Sequence, residues 1–266
     1  MLERFWLKAE VENHPLYCFL FSFLFTIISI LIAESVVPFR VGGISYSGII
    51  SVLMVSLAAS YPLVRYLEKR VEEEEKLAPK LSEEVCLIRH SRETVTYLSF
   101  FFGVTFGFAF MYYYLPPDFF STQLSTIAGI MATGKFIDTS LLSLIITNNL
   151  WVFLITFTVS FLISAGMVFI LVWNASVFGV FLARVSESII HASFLSLNYM
   201  FHGIPEISAY ILAGLSGFLL SRQMEEYLTG DYKYGVKTFI KLTKDSLSLF
   251  VIGLVLIFVA GFLEVL

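Results

Sequence analysis

The chain has 266 residues, of which 58% are hydrophobic, and Phe alone supplies 28. A mean hydropathy of +0.84 and an apolar share above the roughly 45–50% of a soluble domain exclude a soluble globular protein, a disordered chain and a disulfide scaffold. The net charge of −4, from 17 Lys+Arg and 21 Asp+Glu, excludes the basic face of a nucleic-acid-binding protein.

A helical span needs about 20 apolar residues to cross about 30 Å of hydrocarbon at 1.5 Å per residue. Seven such stretches are predicted, at about 16–37, 44–64, 94–115, 141–163, 166–184, 204–221 and 245–265. The expected fold class is therefore all-α: a polytopic transmembrane helix bundle forming a single membrane domain over 1–266. No connection exceeds 29 residues, whereas separate soluble domains begin near 50. A catalytic domain hung outside the membrane is excluded.

The first apolar run, Leu16 to Val37, is longer than a signal-peptide core of about 7–15 residues and reads as an uncleaved helix. Glu34 at its far end is expected to snorkel. Loop 65–93 contains Glu72-Glu73-Glu74-Glu75, and residues 65–77 read as a water-exposed helix extending span two, ended by Pro79. A docking surface for a cytoplasmic partner is the alternative use of that helix. In span three, Gly103-x-x-x-Gly107 is a close-packing motif, and Tyr112-Tyr113-Tyr114 falls where an aromatic belt belongs. Segments 119–136 and 186–201 are semi-apolar and are read as interfacial or re-entrant, with a flat helix favoured for the first.

Residues 141–184 run 44 positions with no charge before Arg184. That is too long for one helix, and Ser164-Ala165-Gly166 is the place for a tight turn. Charge supports the division. Segments 1–15, 65–93 and 222–244 together hold 14 of the 17 Lys/Arg, and seven spans put all three on one side. The positive-inside rule then makes the N-terminus cytoplasmic and the C-terminus external, in a multi-pass protein of the cytoplasmic membrane. Cys18 and Cys86 lie at different depths, form no CxxC and read as unpaired thiols.

Polar residues inside spans carry the functional question. Asn148, Asn149 and Asn174 lie in predicted spans, and an unpaired amide in hydrocarbon is costly, so each should face another helix. In His202-Gly203-Ile204-Pro205-Glu206, Pro205 suits a helix's first turn, and His202 and Glu206 are i and i+4, on one face. That face continues as Ala209, Ala213 and Gly217, a small-residue stripe for close helix packing. Counted from residues 164 and 222, Asn148 and Glu206 are each 16 residues up, or about 24 Å. Asn174 lies about 10 Å lower, at a height suited to bonding across helices near Ala213. The cluster Asn148, Asn149, Asn174, His202 and Glu206 reads either as interhelical glue or as a site for an ion, a proton or a polar headgroup. One His and one carboxylate are too few for a metal, and no nucleophile stands beside a base, so no metal, cofactor or catalytic residue is expected. Trp151 and Trp173 lie deeper than a belt and read as core filling.

Thr147-Asn148-Asn149, the hairpin turn at Ala165-Gly166, Asn174 with Gly179, and Phe201-His202-Gly203-Ile204-Pro205-Glu206 followed by Ala209, Ala213, Gly214 and Gly217 resemble the stage II sporulation protein M family of polytopic membrane proteins. The resemblance covers about residues 145–222, with Asn174-Ala175 standing where members often have Asn-Gly. It implies a non-enzymatic protein. The founding members anchor peptidoglycan-degrading enzymes during engulfment of the forespore, while relatives occur in organisms that make no spores. The expectation is a membrane scaffold or assembly partner, in contact with lipids and with a membrane or cell-envelope protein, with no nucleic acid; a homo-oligomer is compatible. The alternative is a small transporter or lipid-handling protein that uses the Asn/His/Glu cluster.

Overall fold

The computed structural model describes residues 14–36, 40–41, 44–77, 86–136, 141–186, 188–230 and 235–265. The long helices are α1 (Pro15–Val36), α2 (Ser47–Leu77), α4 (Ser91–Tyr112), α6 (Leu141–Leu162), α7 (Gly166–Val185), α8 (Ile189–Thr229) and α9 (Val236–Val265). Shorter pieces are α3 (Cys86–Arg89), a 3₁₀ turn (Pro117–Phe120) and α5 (Ser121–Phe136). Two residues on each side, Arg40–Val41 and Ile44–Ser45, pair antiparallel between α1 and α2. Among the described residues seven helices are long and apolar enough to cross a membrane. The protein is an all-α polytopic bundle.

The hairpin between α6 and α7 forms where the small residues predicted it. The Gly166 N–H donates to the Ile163 carbonyl at 2.7 Å, and a Cβ on Gly166 would overlap Val159. The alternating direction of the helices puts the end of α2 with the start of α4, the α6–α7 turn, and the end of α8 with the start of α9 at one end of the bundle, which carries most of the Lys and Arg among the described residues.

Span six departs from the reading at its start. α8 is continuous from Ile189, with Pro205 in its interior rather than its first turn. Segment 186–201 is thus largely the opening of that helix. A proline there removes one backbone hydrogen bond, but unwinding the chain in an apolar setting would expose several. α8 ends at Gly230, whose φ of 70° supplies the left-handed cap and whose N–H reaches the Glu226 carbonyl at 3.0 Å.

Small residues set the tightest contacts. Gly103 faces Ser22 and the Phe19 carbonyl, and Gly107 faces Thr26, so the motif joins α4 to α1. Ala209 and Ala213 are fully buried, and Gly217 lies on the Phe157 carbonyl and Phe161 amide of α6. Ser216 and Ser246 exchange hydrogen bonds across α8 and α9, each hydroxyl donating to the other's carbonyl at 2.7 and 2.9 Å. α7 and α8 are the most enclosed of the later spans and α6 the least. α5 packs on α7 and α2 through buried Gln123, which donates to the Ser176 hydroxyl at 3.4 Å.

Candidate functional site

Two polar groups lie at opposite ends of the bundle. The first contains the residues singled out in the sequence. Asn149 is buried, and its carbonyl oxygen accepts from the Asn148 amide at 3.2 Å, while Asn148 itself is exposed on the outer face of α6. On α8, half-buried Glu206 accepts from the hydroxyl of Tyr210, one turn along the same helix, at 2.6 Å. Glu264, near the end of α9, lies in electrostatic range of both Glu206 and His202. The His202 ring stacks edge-on against Tyr199 at 5.7 Å.

His202, Glu206 and Glu264 are therefore brought together, with Tyr210 holding the carboxyl group. Among the described residues, neither Asn148 nor Asn149 is hydrogen-bonded to His202 or Glu206. Asn174 stands apart: its amide donates to the Ile170 carbonyl of its own helix at 2.8 Å, not across to α8. Trp151 also departs from expectation. It is 63% exposed and faces outward, whereas Trp173 packs against the core. Glu264 and Tyr210 carried a faint sequence signal: Tyr210 is i+4 from Glu206, and seven spans place residue 264 at the same end as 202.

The second group, at the Lys/Arg-rich end, was not foreseen. The extension of α2 is not exposed all round: Tyr66, Leu67, Val71 and Glu74 are buried. Arg70 donates from Nε to Glu93 Oε1 at 2.7 Å and from Nη1 to Glu73 Oε2 at 2.9 Å. Arg89 pairs with Asp245 of α9 at 2.5 Å, and the Cys86 thiol donates to the Asp245 carbonyl at 3.6 Å. His90, in the turn before α4, has Nε2 3.6 Å from Glu74 Oε2.

Burial pushes the Cys86 thiol up to about 12, with the Asp245 charge adding to it. Burial also lowers His90 to about 4, and the neighbouring Arg89 and Arg70 charges act in the same direction. The imidazole is thus neutral at pH 7 and the thiol protonated. Glu74 Oε2, His90 Nε2 and Glu93 Oε2 are buried and have no hydrogen-bond partner among the described residues. The metal-ligating atoms of Glu74, His90 and Glu93 lie within 4.8 Å of one another, as do those of Cys86, His90 and Asp245.

Residues 95–266 match the family model described as stage II sporulation protein M. The match extends well beyond the segment that carried the resemblance and covers more than half of the chain, and the chain belongs to this family. No curated protein and no solved structure matches.

Proposed function

We propose that this member of the stage II sporulation protein M family is a non-enzymatic scaffold of the cytoplasmic membrane, offering the outward face of α6 to a transmembrane helix of a partner protein. The observation that supports this is the chemistry of that face. α6 is the least enclosed span, with 17% of its apolar window buried, yet it turns Thr147, Asn148, Trp151 and Thr158 outward. Thr158 bonds back to its own helix at 2.8 Å. Among the described residues Asn148 bonds to its neighbour Asn149 alone, which leaves amide hydrogen-bonding capacity toward lipid. An amide there is costly unless another helix supplies a partner, and such bonds hold membrane helices together.

The test is a photo-crosslinking residue at position 148 or 151 in native membranes. Protein adducts are expected, together with loss of adducts at 151 when Asn148 is replaced by Leu. Lipid adducts alone would remove the reading.

The grouping of His202, Glu206 and Glu264 favours a second reading, a small transporter or lipid-handling protein. It differs in requiring the Glu206 carboxylate for flux, which reconstitution of Glu206→Gln decides.

A further inference from the structure

At the Lys/Arg-rich end four carboxyl groups surround two guanidiniums. Arg70 is shared between Glu93 and Glu73, and Arg89 is engaged by Asp245. His90 and Glu93 are 3% and 2% exposed, and Glu74 is 8% exposed. A buried carboxylate oxygen without a partner is costly, and here two such oxygens and an imidazole nitrogen converge.

We propose that Glu74, His90 and Glu93 bind one divalent cation of the Zn²⁺ or Mn²⁺ class, which fastens the α2 extension to the start of α4. One cation satisfies all three unpartnered atoms at once. A proton shared between Glu74 and His90 across their 3.6 Å separation would leave Glu93 Oε2 alone. One imidazole nitrogen with two carboxylate oxygens suits a borderline divalent ion, whereas Mg²⁺ and Ca²⁺ prefer oxygen alone. Bonds of about 2.0–2.2 Å at tetrahedral angles put ligand atoms about 3.4 Å apart. The three atoms, all within 4.8 Å of one another, reach that by side-chain adjustment.

The surroundings are arranged for the role. Arg70 holds Glu93 by Oε1 and leaves Oε2 free, as outer partners of metal ligands do. His90 and Glu93 share a face at i and i+3 on entry to α4. Cys86 and Asp245 lie within reach of His90, but Asp245 is engaged by Arg89 and Cys86 by the Asp245 carbonyl, so the unpartnered trio is the primary set. All three ligands precede residue 95, where the family match begins. The cation would join an α2 segment outside that match to α4 at its start.

The experiment uses the full chain in detergent, stripped with chelator, equilibrated with Zn²⁺ and passed through a desalting column before metal analysis. The wild type and the exposed-neighbour variant Glu72→Gln should each retain one Zn²⁺ per chain. Glu74→Gln, which keeps the shape and loses the charge, should bind at least about tenfold more weakly. Because a variant can misfold, stripped wild type is also titrated with Co²⁺. A visible d–d absorption band displaced by Zn²⁺ is expected. No retained Zn²⁺ on the wild type, equal retention by Glu74→Gln and Glu72→Gln, or no Co²⁺ band would each overturn the proposal.

Discussion

The two ends of the bundle solve the same problem differently. Each sets a histidine near carboxyl groups, His202 half-buried near Glu264 and His90 buried beside Glu74. At the end holding Glu206, the polar atoms come from neighbours one helical turn apart, Glu206 with Tyr210, and adjacent amides, Asn148 with Asn149. At the other end, Arg70, Glu93, Arg89 and Asp245 come from four helices and up to 175 residues of separation, and they interlock as ion pairs. Local pairs can be removed one at a time. An interlocked set leaves a buried charge behind whenever one member is lost.

That difference predicts where damage is greatest. Asp245→Ala leaves Arg89 without its carboxylate in a site where both side chains are about nine-tenths buried, and breaking a buried pair on one side costs about 3–5 kcal/mol. Unfolding of purified protein in denaturing detergent should show a loss of that size. A double variant, Arg89→Met with Asp245→Leu, should recover most of it, because apolar replacement of both charges removes the stranded ion. A single variant as stable as the wild type would mean that the two ends are equally tolerant.

The next largest effect belongs to the stripe that joins the α6–α8 contact. Ala213 is fully buried, and Gly217 has backbone of α6 against it. Ala213→Leu should cost about 1–3 kcal/mol by overpacking, read as a lowered melting temperature in detergent. Leu at Ile204, which is exposed on the same helix, should leave melting unchanged.

The sequence made one end legible and hid the other for a physical reason. Hydropathy located the spans, and the charge asymmetry separated α6 from α7. The i, i+4 pattern found Glu206 and the stripe below it because both are local to one helix. Four consecutive glutamates at 72–75 look alike in sequence. Only their angular position against α4 selects Glu74 for burial, and that angle is set by tertiary packing. Trp151 was misread for a related reason: α6 is apolar on every side, so its composition does not say which face turns outward. Pro205 signalled a helix start because that rule is calibrated in water, where an interrupted backbone finds other partners.

A smaller effect tests the local character of the Glu206 end. Tyr210→Phe removes one hydroxyl donor and should cost about 1 kcal/mol, well below the loss at Asp245, when measured by the same unfolding assay. A loss as large as that of Asp245→Ala would show that this end is interlocked too, through Glu264 and His202.

The smallest expected effect on stability is also the most informative about function. Glu206→Gln keeps the length of the side chain and an oxygen that can accept from Tyr210, so the 2.6 Å contact can persist. It removes only the charge. If the protein works through the α6 face, adducts formed at position 151 should be unchanged, because Trp151 is exposed on α6 whereas the Glu206–Tyr210 pair belongs to α8. If it moves an ion or a headgroup, reconstituted flux should vanish while the melting temperature stays put, since the charge beside Glu264 and His202 would be the working part. The scaffold reading is preferred because Asn148 is exposed on the outside of the described bundle, where a partner helix can meet its amide. Flux lost in Glu206→Gln with adducts at 151 unaltered would overturn that preference and make the carboxylates, rather than the helix face, the functional centre.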